Sequence, residues 1–125
     1  MTTALRVTMA LLMAPVLAAT ARADGDAVRG EARFLDCAAC HKLAAGANEV
    51  GPSLHGLFGR KAGELADFRF SPAMKRSGVT WTPETLDRYL ADPQGMIPAN
   101  RMPYAGMANA GDRADLIAYL LKASE

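Results

Sequence analysis

The residues best suited to chemistry lie together in the segment Cys37-Ala38-Ala39-Cys40-His41, which holds both cysteines of the 125-residue chain. Two thiols at this spacing can add to the two vinyl groups of a haem. The histidine that follows is then placed to bind the iron as its proximal ligand. The segment therefore predicts one covalent c-type haem, attached through Cys37 and Cys40, with His41 on the metal.

Other uses of these cysteines fit the sequence less well. A disulfide between Cys37 and Cys40 would close too small a loop to constrain the unfolded chain appreciably. A thioredoxin-like dithiol enzyme places its pair after a strand, whereas this pair follows a predicted helix. A zinc site that used His41 and His55 would separate its histidines by far more residues than a zinc finger does. We keep both as alternatives to haem and assign His55 no role.

Residues 1–23 differ from the rest of the chain. Arg6 precedes an apolar run from Val7 to Ala19, and Ala21-Arg22-Ala23 fits the small-x-small cleavage pattern of exported proteins. A membrane anchor is the alternative, but the run is shorter than the roughly 20 residues that a spanning helix needs. We expect a cleaved signal peptide at 1–23, a mature domain at 24–125 and a periplasmic location.

Composition and charge indicate one globular domain that does not bind nucleic acid. Half of the residues are hydrophobic, and 14 Lys and Arg nearly balance 13 Asp and Glu. Cleavage would leave 12 basic and 13 acidic residues, so the mature protein lacks the basic field that a phosphate backbone requires.

The spacing of apolar residues predicts an all-α fold. A first helix spans Asp26 to about Cys37, and a last helix spans 111–123. Between them, Ser71-Pro72, Thr82-Pro83 and Asp92-Pro93 each place a capping side chain before a proline, which is typical of a helix start. Residues 42–69 are expected to form a long irregular loop, which a compact domain tolerates when a bound group fills its concave side.

Particular residues are expected to end these helices or to face the core. Gly78 and Gly95 are predicted to end the first and third of the proline-initiated helices in the left-handed conformation. The apolar stripes are predicted at Leu86, Tyr89 and Leu90 and, in the last helix, at Leu116, Ile117, Leu120 and Leu121.

Three further segments resemble mitochondrial and bacterial monohaem cytochromes c, in order along nearly the whole mature chain. They are residues 51–60 (GPSLHGLFGR), 97–107 (IPANRMPYAGM) and 113–120 (RADLIAYL). The resemblance implies a small single-domain fold wrapped around one haem, with crossing N- and C-terminal helices. We expect the crossing at Gly30, where Phe34 and Tyr119 should pack together.

A second axial ligand requires a soft neutral donor far from His41, and a methionine thioether is such a donor. The mature chain offers Met74, Met96, Met102 and Met107. Met74 falls in a predicted helix, whereas Met102 lies in a loop stiffened by prolines on both sides. Met102 also matches the iron-ligating methionine of the family, and Met107 and Met96 are the alternatives.

The resemblance implies supporting roles for five further residues around the haem. The Pro52 carbonyl would orient His41, and Tyr89 matches a tyrosine near the methionine sulfur. The remaining three residues are expected near the haem propionates. Trp81 would donate a hydrogen bond to them, and Arg60 would balance their charge. Asn100 stands where the family has a threonine that contacts them. Trp81 could instead be ordinary core, and Arg60 a solvated charge.

The chain also departs from the mitochondrial pattern. Phe70 and Met74 stand where a tyrosine and an asparagine border the haem, which predicts a reduced hydrogen-bond network. The lysine ring around the haem edge is largely replaced, by Asp36, Glu49, Gln94 and Gly95 among others, while Arg101 is retained. Partner docking is therefore expected to depend little on electrostatic steering.

We expect a soluble, monomeric carrier of single electrons and not an enzyme. Its partners would be redox proteins, such as a membrane oxidase, a cytochrome bc1-type complex or a periplasmic dehydrogenase. The alternative is a haem enzyme or gas sensor with an open distal site, which a ligating Met102 disfavours.

Overall fold

A computed structural model describes residues 24–125, so the predicted signal peptide at 1–23 lies outside the described residues. The part described is helical and contains no β-strand beyond one isolated bridge between Lys61 and Thr80. The helices are α1 (Ala27–Ala38), α2 (Pro72–Arg76), α3 (Pro83–Ala91), α4 (Pro93–Met96) and α5 (Ala110–Ala123). No helix within 24–125 is long and apolar enough to cross a membrane. The predicted all-α class is confirmed.

Side-chain caps start the helices where the sequence places them. The Asp26 carboxylate accepts hydrogen bonds from the first backbone N–H groups of α1. Ser71 accepts from Met74 N–H at the start of α2, and Asp92 accepts from Gly95 N–H at the start of α4. Thr82 begins α3 with a reciprocal pair of hydrogen bonds to Thr85. These contacts satisfy amide groups that have no partner inside a helix.

The two predicted glycine terminations have different outcomes. Gly78 follows α2 with φ of 68°, the left-handed geometry expected of it. The prediction for Gly95 was wrong, because this residue lies inside α4 and its N–H donates to the Asp92 carboxylate over 2.9 Å. A Cβ at Gly95 would overlap that carboxylate. A larger residue at position 95 would therefore require the Asp92 side chain to move.

The crossing of α1 and α5 is confirmed at Gly30. A Cβ there would overlap the Asp115 carbonyl oxygen and lie 2.7 Å from Tyr119 Cβ. The Phe34 and Tyr119 rings pack beside the crossing with their centroids 5.5 Å apart. The Arg29 guanidinium also reaches across it to the Asp115 carboxylate, with Nε 2.8 Å from Oδ2. Close backbone approach and an ion pair together fix the two terminal helices.

Within residues 24–125, the helices α3 and α5 supply six of the thirteen buried apolar residues of the core. Its buried side chains include Leu86, Tyr89 and Leu90 of α3 and Leu116, Ile117 and Leu120 of α5, as predicted. The prediction for Leu121 was wrong, since this side chain is 42% exposed. At about 100° of rotation per residue, Leu121 lies about 40° beyond Ile117, at the edge of the side of α5 that faces the core. Residues 42–69 contain no helix, and this irregular loop lies against one side of the core.

Candidate haem site

A cavity of about 300 Å³ lies between the end of α1, the long loop, α3 and the segment after α4. Its lining is mainly apolar and includes Leu54, Leu57, Phe68, Phe70 and Leu116. It brings together eight of the nine residues assigned to the haem site from the sequence. They are Cys37, Cys40, His41, Pro52, Arg60, Trp81, Tyr89 and Met102.

The last turn of α1 groups the two thiols with the histidine. The amides of Cys40 and His41 both donate to the Cys37 carbonyl, over 3.0 and 2.9 Å, which folds the chain back on itself. Both cysteines are free and half-buried at the cavity wall. Burial, with smaller contributions from Asp36 and Cys40, raises the pKa of Cys37 to about 11. A thiol of this kind does not suit a dithiol redox enzyme, whose attacking cysteine has a lowered pKa.

His41 is held in one orientation by its backbone surroundings. Its Nδ1 lies 2.8 Å from the Pro52 carbonyl oxygen, to which the Nδ1–H donates. Burial lowers the imidazole pKa, the Pro52 contact opposes that shift, and Arg60 lowers the pKa further. The neutral ring thereby keeps the Nε2 lone pair available for a metal.

Gly51 is a site residue that the sequence reasoning missed. It is buried against the flat side of the His41 ring, where a Cβ would lie 2.7 Å from Nδ1. Only glycine leaves room for the imidazole at this point. The Gly51-Pro52 pair opens segment 51–60, which carries the family resemblance, but the need for glycine comes from a contact with His41 that the pair itself does not reveal.

Met102 and Tyr89 meet in the cavity. The Tyr89 hydroxyl donates to Met102 Sδ over 3.5 Å, and burial raises the Tyr89 pKa to about 12. Of the other candidates for the second axial ligand, Met96 and Met107 lie outside the cavity lining, while Met74 is part of it. The structure thus makes Met74, rather than Met107 or Met96, the nearest competitor of Met102.

Trp81 and Arg60 supply hydrogen-bond donors at the cavity wall. Trp81 packs edge-on against Tyr89, with ring centroids 5.0 Å apart, and its indole N–H has no partner within 24–125. The Arg60 guanidinium donates to the carbonyls of Ser53 and His55 and pairs with no carboxylate among the described residues. Burial lowers the pKa of this half-buried cation. Both groups could hold an anion.

Asn100 lies outside the cavity lining, unlike the other eight. Its amide nitrogen donates to the carbonyls of Pro93 and Ile97, each over 2.9 Å. Its side-chain oxygen accepts the Met102 N–H over 2.9 Å. The side chain is committed to shaping the segment that carries Met102 and has no N–H left for a propionate.

These residues fit a covalent haem. The cavity combines an apolar wall with two thiols on one turn, an oriented imidazole, a thioether and two donors that have no anionic partner among residues 24–125. Comparison with known proteins agrees, because residues 27–124 match the cytochrome c family over nearly the whole described chain. The chain belongs to the cytochrome c family.

Several relatives are similar in sequence to this chain over most of their length. Cytochrome c2 iso-2 of Magnetospirillum fulvum is 57% identical over 84 residues, which is 67% of this chain and 88% of the relative. Cytochrome c2 of Rhodomicrobium vannielii is 44% identical over 106 residues, covering 84% of this chain and 85% of the relative. Cytochrome c of Arabidopsis thaliana is 45% identical over 99 residues, covering 78% and 88%.

Membership of this family has two direct consequences. The protein is an electron-transfer protein and not an enzyme. Its cofactor is a covalent c-type haem, and Cys37 and Cys40 fit the attachment motif.

Proposed function

We propose that this cytochrome c is a soluble carrier of single electrons in the bacterial periplasm, with its iron held by His41 and Met102. The supporting observation is that an oriented imidazole and a tyrosine-bonded thioether line the same cavity as the two thiols. When bound, the haem supplies an iron that alternates between the ferrous and ferric states. His41 and Met102 would bind this iron in both states, so no vacancy opens for a substrate.

The surrounding residues would position these ligands and the haem carboxylates. The Pro52 carbonyl fixes the His41 ring, and Gly51 leaves it space. Trp81 and Arg60 would donate to the propionates, which supply the anionic partners they lack within the described residues. Asn100 acts on the Met102 backbone instead of on the haem.

Export would precede haem attachment. We propose that residues 1–23 are a signal peptide and that the mature chain begins near Asp24, two residues before the cap of α1. The intact mass of natively exported protein should equal residues 24–125 plus one haem. Thiol reagents should label neither Cys37 nor Cys40, and two labelled cysteines would contradict the attachment.

The partners would be a redox donor and a redox acceptor that meet the cavity mouth. Asp36 lies there with two exposed cations, Arg69 and Arg101, beside the exposed Val50 and the half-buried Tyr104. Glu49 is paired with Lys42, at 3.7 Å. With this mixed surface, docking would depend mainly on shape and apolar contact, so electron-transfer rates with the native oxidase or dehydrogenase should change little with ionic strength.

Replacement of Met102 tests the ligand assignment. In Met102→Ala the thioether is absent, so the weak charge-transfer absorption of methionine-ligated ferric haem should disappear and the reduction potential should fall. Met96→Ala is the matched control, because Met96 lies outside the cavity lining, and it should keep both properties. If Met102→Ala keeps the absorption and the potential, the assignment fails and Met74 becomes the ligand to test.

A further inference from the structure

The segment that carries Met102 is attached to the rest of the protein at both ends. Before Met102, the Asn100 side chain bonds the Pro93 and Ile97 carbonyls, and Gln94 Nε2 donates to the Asn100 carbonyl over 3.0 Å. After Met102, the Met107 amide donates to the Leu90 carbonyl over 2.7 Å. We call residues 97–108 the Met102 loop.

Arg113 of α5 adds the strongest contacts at the second end. Its Nη1 donates to the carbonyls of Met107 and Ala108, over 2.8 and 2.9 Å. Its Nε donates to Asp87 Oδ1 of α3 over 2.8 Å. The Arg113 side chain is only 12% exposed, so water screens these contacts weakly. One guanidinium thus joins α3, α5 and the end of the Met102 loop.

The centre of the loop packs against the core but makes fewer hydrogen bonds. Among the described residues, Met102 itself is held by its amide contact to Asn100 and by the Tyr89 hydroxyl at its sulfur. The Tyr104 amide donates back to the Met102 carbonyl, a contact within the loop. The position of the thioether therefore depends on how firmly the two ends are held.

We propose that Arg113, oriented by Asp87, is a positioning residue that keeps the Met102 thioether in the cavity. The inference rests on the proposed function, in which Met102 binds the iron. Arg113 does not line the cavity, and within the Met102 loop its hydrogen bonds reach only Met107 and Ala108. When the Arg113 guanidinium is removed, the Met107 and Ala108 carbonyls lose their donor and the population of an open loop rises. The distal position on the iron then becomes accessible to a competing ligand.

The test compares holoprotein variants by imidazole binding to the ferric state and by amide hydrogen exchange. Arg113→Gln should bind imidazole about tenfold more tightly, since hydrogen bonds from a charged group have been lost. The Met107 amide should exchange about tenfold faster, while the Leu116 and Leu120 amides of α5 should keep their protection. Asp87→Asn keeps the Arg113 guanidinium but holds its orientation less firmly. It should shift both readouts in the same direction as Arg113→Gln, by a smaller amount.

Two further variants separate positioning from general destabilisation. Arg113→Lys keeps the charge, but a single ammonium group cannot contact two carbonyls and a carboxylate as the guanidinium does. Its imidazole affinity and Met107 exchange rate should lie between those of the native protein and Arg113→Gln. Arg33→Gln breaks another ion pair of α5, with Asp112 at 3.1 Å, and should leave imidazole affinity within about twofold. Equal effects of Arg33→Gln and Arg113→Gln would overturn the proposal.

The two readouts must change together. Faster Met107 exchange with unchanged imidazole affinity, or the reverse, would overturn a positioning role for Arg113. Failure of the proposed function is a separate result, because it appears as retention of the charge-transfer absorption in Met102→Ala. Failure of this inference appears as unchanged imidazole affinity or unchanged Met107 exchange in Arg113→Gln, while Met102→Ala still loses the charge-transfer absorption.

Discussion

The hydroxyl group of Tyr89 lies 3.5 Å from the sulfur of Met102 and donates a hydrogen bond to it. If Met102 binds the iron as proposed, that bond would draw electron density from the thioether and weaken it as a donor to ferric iron. Tyr89→Phe removes the hydroxyl and leaves the ring packed on Trp81. We expect the reduction potential to fall by about 20–40 mV, the equivalent of one weak hydrogen bond in a one-electron couple.

Voltammetry of the two proteins measures this difference. Tyr119→Phe is the control, because Tyr119 packs at the helix crossing and not at the cavity, and it should leave the potential unchanged. An equal or higher potential in Tyr89→Phe would show that the hydroxyl does not act on the sulfur.

The second prediction concerns the crossing of α1 and α5. Gly30→Ala places a methyl group against the Asp115 carbonyl and Tyr119 Cβ, so the helices must separate. The free energy of unfolding should drop by about 1–3 kcal/mol, the usual cost of overpacking. Gly111→Ala, where the nearest neighbour is the Asn109 side chain at 3.1 Å, should change it by less than about 1 kcal/mol. Urea unfolding of holoprotein measures both values, and equal losses would contradict the close approach at Gly30.

The haem-attachment motif and the helix starts could be predicted from the sequence because each depends on residues close together in the chain. The attachment motif is contiguous, and each capping side chain contacts amides within three residues. Gly51 and Arg113 could not be assigned in the same way. Each acts on a partner that is distant in sequence or belongs to the backbone, and residue type alone does not reveal such a contact. The role of Asn100 was likewise hidden, because its partners are backbone groups.

The third prediction is that Asp115, at the crossing of α1 and α5, makes the free energy of unfolding depend on pH. The Arg29 hydrogen bond, with the Asp26 amide, lowers the pKa of Asp115 in the folded protein. The unfolded chain therefore binds a proton at Asp115 more readily than the folded protein does. The ionised Asp115 carboxylate contributes its full stabilisation above the ordinary carboxyl pKa of about 4, and this stabilisation is lost as the pH falls through the lowered pKa. Asp115→Asn should be less stable at neutral pH and should lose less stability on acidification than the native protein.

Urea midpoints measured from about pH 7 to about pH 3 check this difference. Asp112→Asn provides the control, since the Asp112 side chain is more exposed and pairs only with Arg33 among the ion pairs described. It should retain the acid slope of the native protein. Parallel slopes in Asp115→Asn and the native protein would show that Asp115 is not the group responsible.

The last prediction concerns a strained turn three residues before Met102. Ala99 is the one non-glycine residue within 24–125 with a positive φ, 65°, and it follows Pro98 in a turn closed by the Asn100 amide and the Ile97 carbonyl over 3.2 Å. A turn of this type favours glycine at that position. The left-handed conformation costs an alanine about 1–2 kcal/mol, whereas glycine gives up about 0.4–1 kcal/mol through the freer unfolded chain. Ala99→Gly should therefore raise the free energy of unfolding by up to about 1 kcal/mol.

Ala105→Gly makes the same change in the same loop without a positive φ, so it should lower stability by a similar amount. Urea unfolding distinguishes the two, and a loss of stability in both variants would show that Ala99 is not strained.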